Sequence, residues 1–468
     1  MKSRILMLMF AVMGSLSFSA CGGGSKGSST PPSSANEWTW MDGSNIASQP
    51  GTYGTQGTAA VGNVPGARSW AVSGTDPSGN FWFFGGNGQD STEDGAGYLN
   101  DLWEYSPSAG QWTWVSGANV AGQSGTYGTQ GTATASNVPG ARGLAASWID
   151  ASGNFWLFGG LGFDLSSQTN YQLNDLWKYS AGEWTWMSGA NAPNQLGTYG
   201  TQGTAASGNV PGARNSAVSW IDTSGNLWLF GGYGYDSAGN NYLLNDLWQY
   251  SAKSGLWTWM SGSNIIEQRG VYGVQGTPDS NNAPGARESA LSWTDESGNL
   301  WLFGGGGYDS TGTLGYLNDL WKYGAGEWTW MGGANVVGQA GTYGAQGTAG
   351  SSNSPGGRGN AVGSVDASGN FWLYGGAGYD STATQGELGD LWKYSAGEWT
   401  WVSGSDVVGE AGTYGTQGLA AASNNPGARL DAVSWVDASG NLWFFGGYYN
   451  PDPNESGADF NDLWKYAP

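Results

Sequence analysis

The triplet Trp-Thr-Trp occurs six times, beginning at Trp38, Trp112, Trp184, Trp257, Trp328 and Trp399, with successive copies 71 to 74 residues apart. Two other elements keep the same spacing. Pro-Gly-(Ala/Gly)-Arg ends at Arg68, Arg142, Arg214, Arg287, Arg358 and Arg429, and Asp-Leu-Trp begins at Asp101, Asp175, Asp246, Asp319, Asp390 and Asp462. Such self-similarity means stacked copies of one supersecondary unit, each too small to bury its apolar surface alone. The length of 468 residues therefore counts repeats rather than independent domains.

In the third unit, Arg214 opens an apolar stretch that runs through Ala217-Val218-Ser219-Trp220-Ile221. Asp222-Thr223-Ser224-Gly225-Asn226 is turn chemistry, and Leu227-Trp228-Leu229-Phe230 then runs into Gly231-Gly232. Two more short strands follow, Leu247-Trp248-Gln249-Tyr250 and Trp257-Thr258-Trp259-Met260. The strands are apolar on nearly both faces, which suits sheets buried between other sheets. Four-stranded sheets repeated about an axis make a propeller.

The Gly-Gly doublet followed by Tyr250 and Trp257, with the same pairing at Tyr105 and Trp112 and at Tyr179 and Trp184, resembles the kelch repeat. The resemblance covers about residues 37 to 468. It implies an all-β, six-bladed propeller of the superfamily that includes the central domain of galactose oxidase. The units exceed the usual kelch period of about 50 residues, so the loops are long. Glu37 to Met41 reads as an orphan fourth strand and Asp462 to Tyr466 as an orphan third strand. The N-terminal strand is thus expected to complete the last blade and leave no open edge.

Of 29 tryptophans, 28 fall at five periodic positions and only Trp70 is out of register. Strict periodicity argues for packing between blades rather than for a sugar platform, since buried aromatics dominate core energetics. Trp70 precedes Gly74, where other units place tryptophan, by about 13 Å of strand, and so cannot replace the missing ring.

The N-terminus reads as an export signal: Lys2 and Arg4, an apolar run from Ile5 to Phe18, small residues, then the single cysteine, Cys21. That run is too short to span a membrane. Phe18-Ser19-Ala20-Cys21 resembles a bacterial lipobox with Phe in place of the usual Leu, which implies cleavage before Cys21 and lipidation of its thiol. Gly22 to Asn36 is rich in Gly, Ser and Pro and cannot bury a core. The expected organisation is a signal peptide in 1–20, a flexible tether in 21–36 and the propeller in 37–468, held to the cell envelope by lipid alone. Gly22 stands where similar lipoproteins retained at the inner membrane carry Asp, which points to the outer membrane or cell surface. The formal charge of −21 argues against a nucleic-acid partner and for a soluble monomeric body, and would suit cationic or calcium-rich partners.

Function is expected on one face. The connections from strand two to three, such as Gly232 to Leu244, and from strand four to the next blade, such as Met187 to Asn209, are long and emerge together, whereas the opposite face has tight turns. The blade-to-blade loops each carry a Tyr (Tyr53, Tyr127, Tyr199, Tyr272, Tyr343, Tyr414) and a Gln three residues on. Those groups either contact a ligand or pin each loop to its neighbour. The six Arg and six Asp of the motifs should lie level and form ion pairs. The Asp of each lower turn, such as Asp222, should cap its own turn.

A site needs different residues in different roles, so the informative positions are those where repeats disagree. The two positions after each Arg disagree and are expected to ring the channel mouth. They supply Trp70, Asn215, Glu288, Asn360 and Asp431 as candidate ligand contacts. Histidine is absent and Cys21 is the only cysteine. The copper-radical chemistry of galactose oxidase, Ser/His or Cys/His nucleophiles and Cys/His metal clusters are therefore excluded. No cofactor is required, and any metal would take oxygen ligands, which suits calcium. The expected function is a lipid-anchored extracytoplasmic binding module for a carbohydrate or protein partner. The alternative is a sugar-active enzyme, a mutarotase or a carboxylate-based lyase or hydrolase, with Glu288 and Asp431 as acid and base.

Overall fold

The computed structural model describes residues 35–92, 95–163, 171–450 and 457–468. The signal, Cys21 and most of the tether lie outside the described residues. Antiparallel sheets with a four-strand core follow one another along the chain; four are four-stranded, and in two the short strand at the motif arginine, Arg142–Gly143 or Arg287–Glu288, joins as a fifth. In blade one the strands are Val72–Thr75, Phe81–Phe84, Leu102–Ser106 and Gln111–Ser116, paired in sequence order. The first strands of successive blades lie side by side, and the first strand of blade six, Val433–Val436, returns to Val72–Thr75. The sheets therefore close into a ring, a β-propeller.

Blade six is completed by Glu37–Asp42, which pairs with Leu463–Ala467 in the register Glu37 to Ala467 and Trp40 to Trp464. This joins the two ends of the ring. Between blades, tryptophan does the packing. Within blade one Trp103 and Trp112 meet edge to face at 6.4 Å, both fully buried, and Trp112 reaches across to Phe445 of blade six at 5.2 Å. Trp220, on a first strand, reaches the next blade and donates its indole N–H to the Trp301 carbonyl at 2.8 Å. Blade one has Gly74 at that position, and the side chain of Ile149 fills the space: a Cβ on Gly74 would lie 2.9 Å from it.

Each blade continues upward past the Gly-Gly doublet. Gly231 and Gly232 have φ of +64° and +92°, and a Cβ on Gly231 would stand 2.7 Å from the Arg287 carbonyl, so only glycine lets the strand bend here. Beyond the bend, Tyr233–Tyr235 pairs with Asn241–Leu243 on one side and Arg214–Asn215 on the other. The stretch from Gly232 to Leu244, expected as a long connection, is thus a hairpin. Its tip repeats the Asp chemistry of the lower turns, because Asp236 accepts from the amides of Ala238 and Asn240.

The other long connection also differs from expectation. Instead of standing on the upper face, the loop before each blade runs down the outer edge of that blade. Ala206 bridges to Trp257, the Gly203 amide donates to the Trp259 carbonyl, and Asn209 donates its amide to the Trp257 carbonyl. These bonds satisfy the free carbonyls of the outermost strand and leave it no edge to offer.

Candidate functional site

The repeated charges are structural. All six Arg-Asp pairs form, with shortest N to O distances of 2.6 to 2.8 Å and essentially no exposure. In blade three Asp246 accepts twice from Arg214, once from the Tyr199 hydroxyl at 2.6 Å and once from the Trp248 indole at 2.7 Å. The loop tyrosine therefore belongs to the core of the blade it precedes. Burial first, and the Asp246 charge next, push the Tyr199 phenol far above its ordinary range, so it stays a proton donor. Five of these six tyrosines are buried, which removes them as a ligand shelf. The lower-turn Asp residues cap their own turns as expected: Asp222 accepts from the amides of Ser224 and Asn226 and also from the Trp228 indole.

The second residue after each motif arginine forms a ring on the axis. Trp70, Leu144, Ser216, Ser289, Asn360 and Asp431 all have left-handed φ, between +53° and +63°. Each donates its amide to the carbonyl of the residue before it in the ring, and Trp70 closes the circle on Asp431, with distances of 2.8 to 3.2 Å. A left-handed non-glycine residue costs about 1–3 kcal/mol, and the circular hydrogen bonding holds six of them in place. A second ring lies below, where Ser147, Ser219 and Ser292 donate their hydroxyls to the carbonyls of Ser73, Ser147 and Ser219. Blade five breaks that ring because Gly363 has no hydroxyl to give Ser292.

Three of the five candidate residues meet on the upper ring. Asp431 accepts from the Trp70 indole at 3.0 Å and from the Asn360 amide at 2.8 Å. Burial, followed by the Asp459 and Glu288 charges and only partly offset by these bonds, raises its carboxyl to about 7. Asn215 and Glu288 do not join this ring. They occupy the first position after the arginine, inside the upward extension of the blade. Asn215 is buried and accepts from the Ser216 hydroxyl at 2.9 Å.

Cross-strand register places two further residues beside each first-position residue. Glu288 lies opposite Gly306, and Gly306 opposite Tyr316. The same column reads Gly359, Ala377, Glu387 in blade five and Leu430, Tyr448, Asp459 in blade six. Residues directly opposite one another share a face, so each column is one surface. Glu387, bonded by the Asn450 amide at 2.8 Å, is raised by burial to about 7, and Asp459 likewise to about 6. The sequence reading missed Tyr316, Glu387 and Asp459. The signal was present, since the residue three before the Asp of Asp-Leu-Trp takes five identities in six blades: Tyr98, Gln172, Leu243, Tyr316, Glu387, Asp459.

At blades three to five the columns open into a groove of about 360 Å³. Its walls include Tyr233, Tyr242, Tyr316 and Tyr379, and Glu288 lies between them. Gly306 leaves the floor empty, for a Cβ there would meet nothing within 4 Å. The four tyrosines are half-buried, and their hydroxyls make no hydrogen bond among the described residues, nor does the Glu288 carboxyl. Burial raises the Glu288 carboxyl, and its charge in turn reaches the phenols of Tyr233 and Tyr316. Among the described residues no three Asp, Glu, His or Cys are gathered in a way that would hold a metal ion.

No protein-family model matches the chain, and no curated protein matches it. Solved structures similar to it include one titled "Structure of YjhT", which is 13% identical and overlaps 86% of this chain and 95% of that one with a TM-score of 0.48. No residue role carries over to this chain at that level of similarity.

Proposed function

We propose that the chain is a kelch-type propeller lipoprotein that binds carbohydrate in the tyrosine-walled groove of its upper face. The observation that carries this reading is the set of four half-buried tyrosines whose hydroxyls, like the carboxyl beside them, make no hydrogen bond among the described residues. Flat aromatic walls suit sugar rings, and free O–H and carboxyl groups suit their hydroxyls. In the same reading Cys21 carries the lipid, residues 21–36 form the tether, and the propeller acts as a monomer outside the cytoplasm at the outer membrane or cell surface. A glycan array with the wild type, Tyr316→Ala and Trp70→Ala tests it. Specific binding that Tyr316→Ala abolishes supports the groove. Silence on every glycan would sink the sugar reading and turn attention to a protein partner on the same face.

A second reading is a sugar-active enzyme at the channel mouth, a mutarotase or a carboxylate-based lyase or hydrolase. What favours it is Asp431, whose carboxyl is raised to about 7 and feels the Glu288 charge. A group titrating near neutrality can both take and give a proton. Turnover of the glycan the array identifies, lost in Asp431→Asn with binding kept, would support it.

A further inference from the structure

The groove has a charge as well as a shape. Of the 15 Lys and Arg residues in the chain, six are the buried motif arginines already paired with Asp. Lys178, Lys322, Lys393 and Lys465 lie over the rings of Trp156, Trp301, Trp372 and Trp443, 5.4 to 5.8 Å from the ring centroids. Arg269 lines a separate depression in a blade-to-blade loop, and Lys253 sits in the turn between strands three and four of blade three. None of these cations lines the groove. Among the described residues the upper face therefore presents Glu288 in the groove, and Asp431, Glu387 and Asp459 beside it, with no positive side chain lining the groove. A carboxylated or sulfated sugar would enter a field of its own sign. Among the described residues no three carboxylates gather here as a hard cation prefers. An ammonium group needs neither: the faces of Tyr233, Tyr242, Tyr316 and Tyr379 attract a cation, and one carboxylate beside them completes the site.

Building on the carbohydrate reading above, we infer that the groove selects a sugar bearing a free amine, a hexosamine unit whose ammonium sits against Glu288 over the empty floor left by Gly306. The rest of the sugar lies along the tyrosine walls, and the carboxylates at the channel mouth turn away acidic glycans. Glu288 is the specificity-determining residue, and the tyrosines supply binding common to charged and neutral sugars.

The test is calorimetric titration of the full-length protein with the β-1,4-linked tetramer of glucosamine and with its N-acetylated counterpart, which differs by loss of the charge. The wild type should bind the glucosamine tetramer at least about tenfold more tightly, the scale of one charge-assisted contact. Glu288→Gln should erase that preference while keeping the affinity for the N-acetylated tetramer. Gly306→Tyr, which puts into blade four the residue blade three carries at Tyr233, should fill the groove and abolish both. Equal affinity for the two tetramers, or a preference that survives Glu288→Gln, overturns the amine assignment and leaves the groove a sugar site. Binding of neither tetramer, or binding that survives Gly306→Tyr, overturns the groove itself and the amine assignment with it.

Discussion

Trp70 donates its indole N–H to Asp431 at 3.0 Å, tying blade one to blade six across 361 residues of sequence. With the Asn360 amide on its other oxygen, Asp431 is held between two donors that are themselves fixed by the axial ring of amides. Despite those bonds its carboxyl is raised to about 7 from an ordinary value of 3.8, because burial disfavours the charge more than the donors favour it.

A folded-state value above the unfolded one means that the native protein holds the proton more tightly. Stability from this group is therefore greatest at acid pH and declines as pH rises through about 4 to about 7, then levels off. Glu387 and Asp459 are shifted the same way, so the diagnostic quantity is a difference. Urea unfolding at about pH 5 and about pH 8 should show a smaller loss in Asp431→Asn than in the wild type. Identical losses would mean that Asp431 titrates normally in the fold.

The buried pair Arg214–Asp246 predicts a large and asymmetric cost. Asp246→Ala strands a guanidinium, a phenol and an indole in the core and should lower stability by about 3–5 kcal/mol. Tyr199→Phe removes one of the four bonds to Asp246 and should cost about 1–3 kcal/mol. Denaturant midpoints of the two variants would check the ratio; equal small losses would show that the pair is not buried as described.

Blade five should exchange its backbone amides fastest. It lacks the first-strand tryptophan, with Ser364 in its place, and it breaks the serine ring at Gly363. Serine cannot be restored there without repacking, since a Cβ on Gly363 would lie 2.6 Å from the Phe371 ring. Hydrogen exchange read by mass spectrometry should rank its first strand, Val362–Val365, as the least protected inner strand. Equal protection in all six blades would refute this.

Two adjacent glycines should respond in opposite directions. Gly305 has φ of +96° and a Cβ there would stand 2.6 Å from the Glu288 carbonyl, so Gly305→Ala should cost more than about 1 kcal/mol. Gly306 lies over open space outside the left-handed region, so Gly306→Ala should be neutral or stabilise by about 0.4–1 kcal/mol. Thermal melts of the two variants decide it. A destabilised Gly306→Ala would mean the groove floor is occupied.

The repeating scaffold was readable from the residues themselves because its determinants are local and repeated six times. The Asp222 turn, the Arg214–Asp246 level and the strand at Glu37 that closes blade six each follow from spacing and residue type. The site was only partly readable because it depends on register between strands. Glu288 and Asn215 sit next to Ser289 and Ser216 in sequence, yet neither joins the axial ring: Glu288 lines the groove and Asn215 is buried in the blade extension. Tyr316 becomes a neighbour of Glu288 only when Gly306 is seen between them. The loop tyrosines had two roles open, ligand contact or pin, and their bonds to the buried aspartates make them pins. Nothing in Gly-Thr-Tyr-Gly says that the chain will fold down the blade edge and bury Tyr199 on Asp246.

Closure by the N-terminal strand also sets an order of events. Ser44 and Asn461 are bonded in the finished molecule although 417 residues apart, and Trp40 pairs with Trp464 across the same seam. During synthesis Glu37–Asp42 is thus made long before the strand that it pairs with. Trp38 and Trp40 must wait, exposed, until Leu463–Ala467 emerges. A chain that lacks Leu463–Ala467 leaves the Glu37–Asp42 strand without its partner and the ring open, so the seam makes the stability of every blade depend on two strands that lie far apart in sequence.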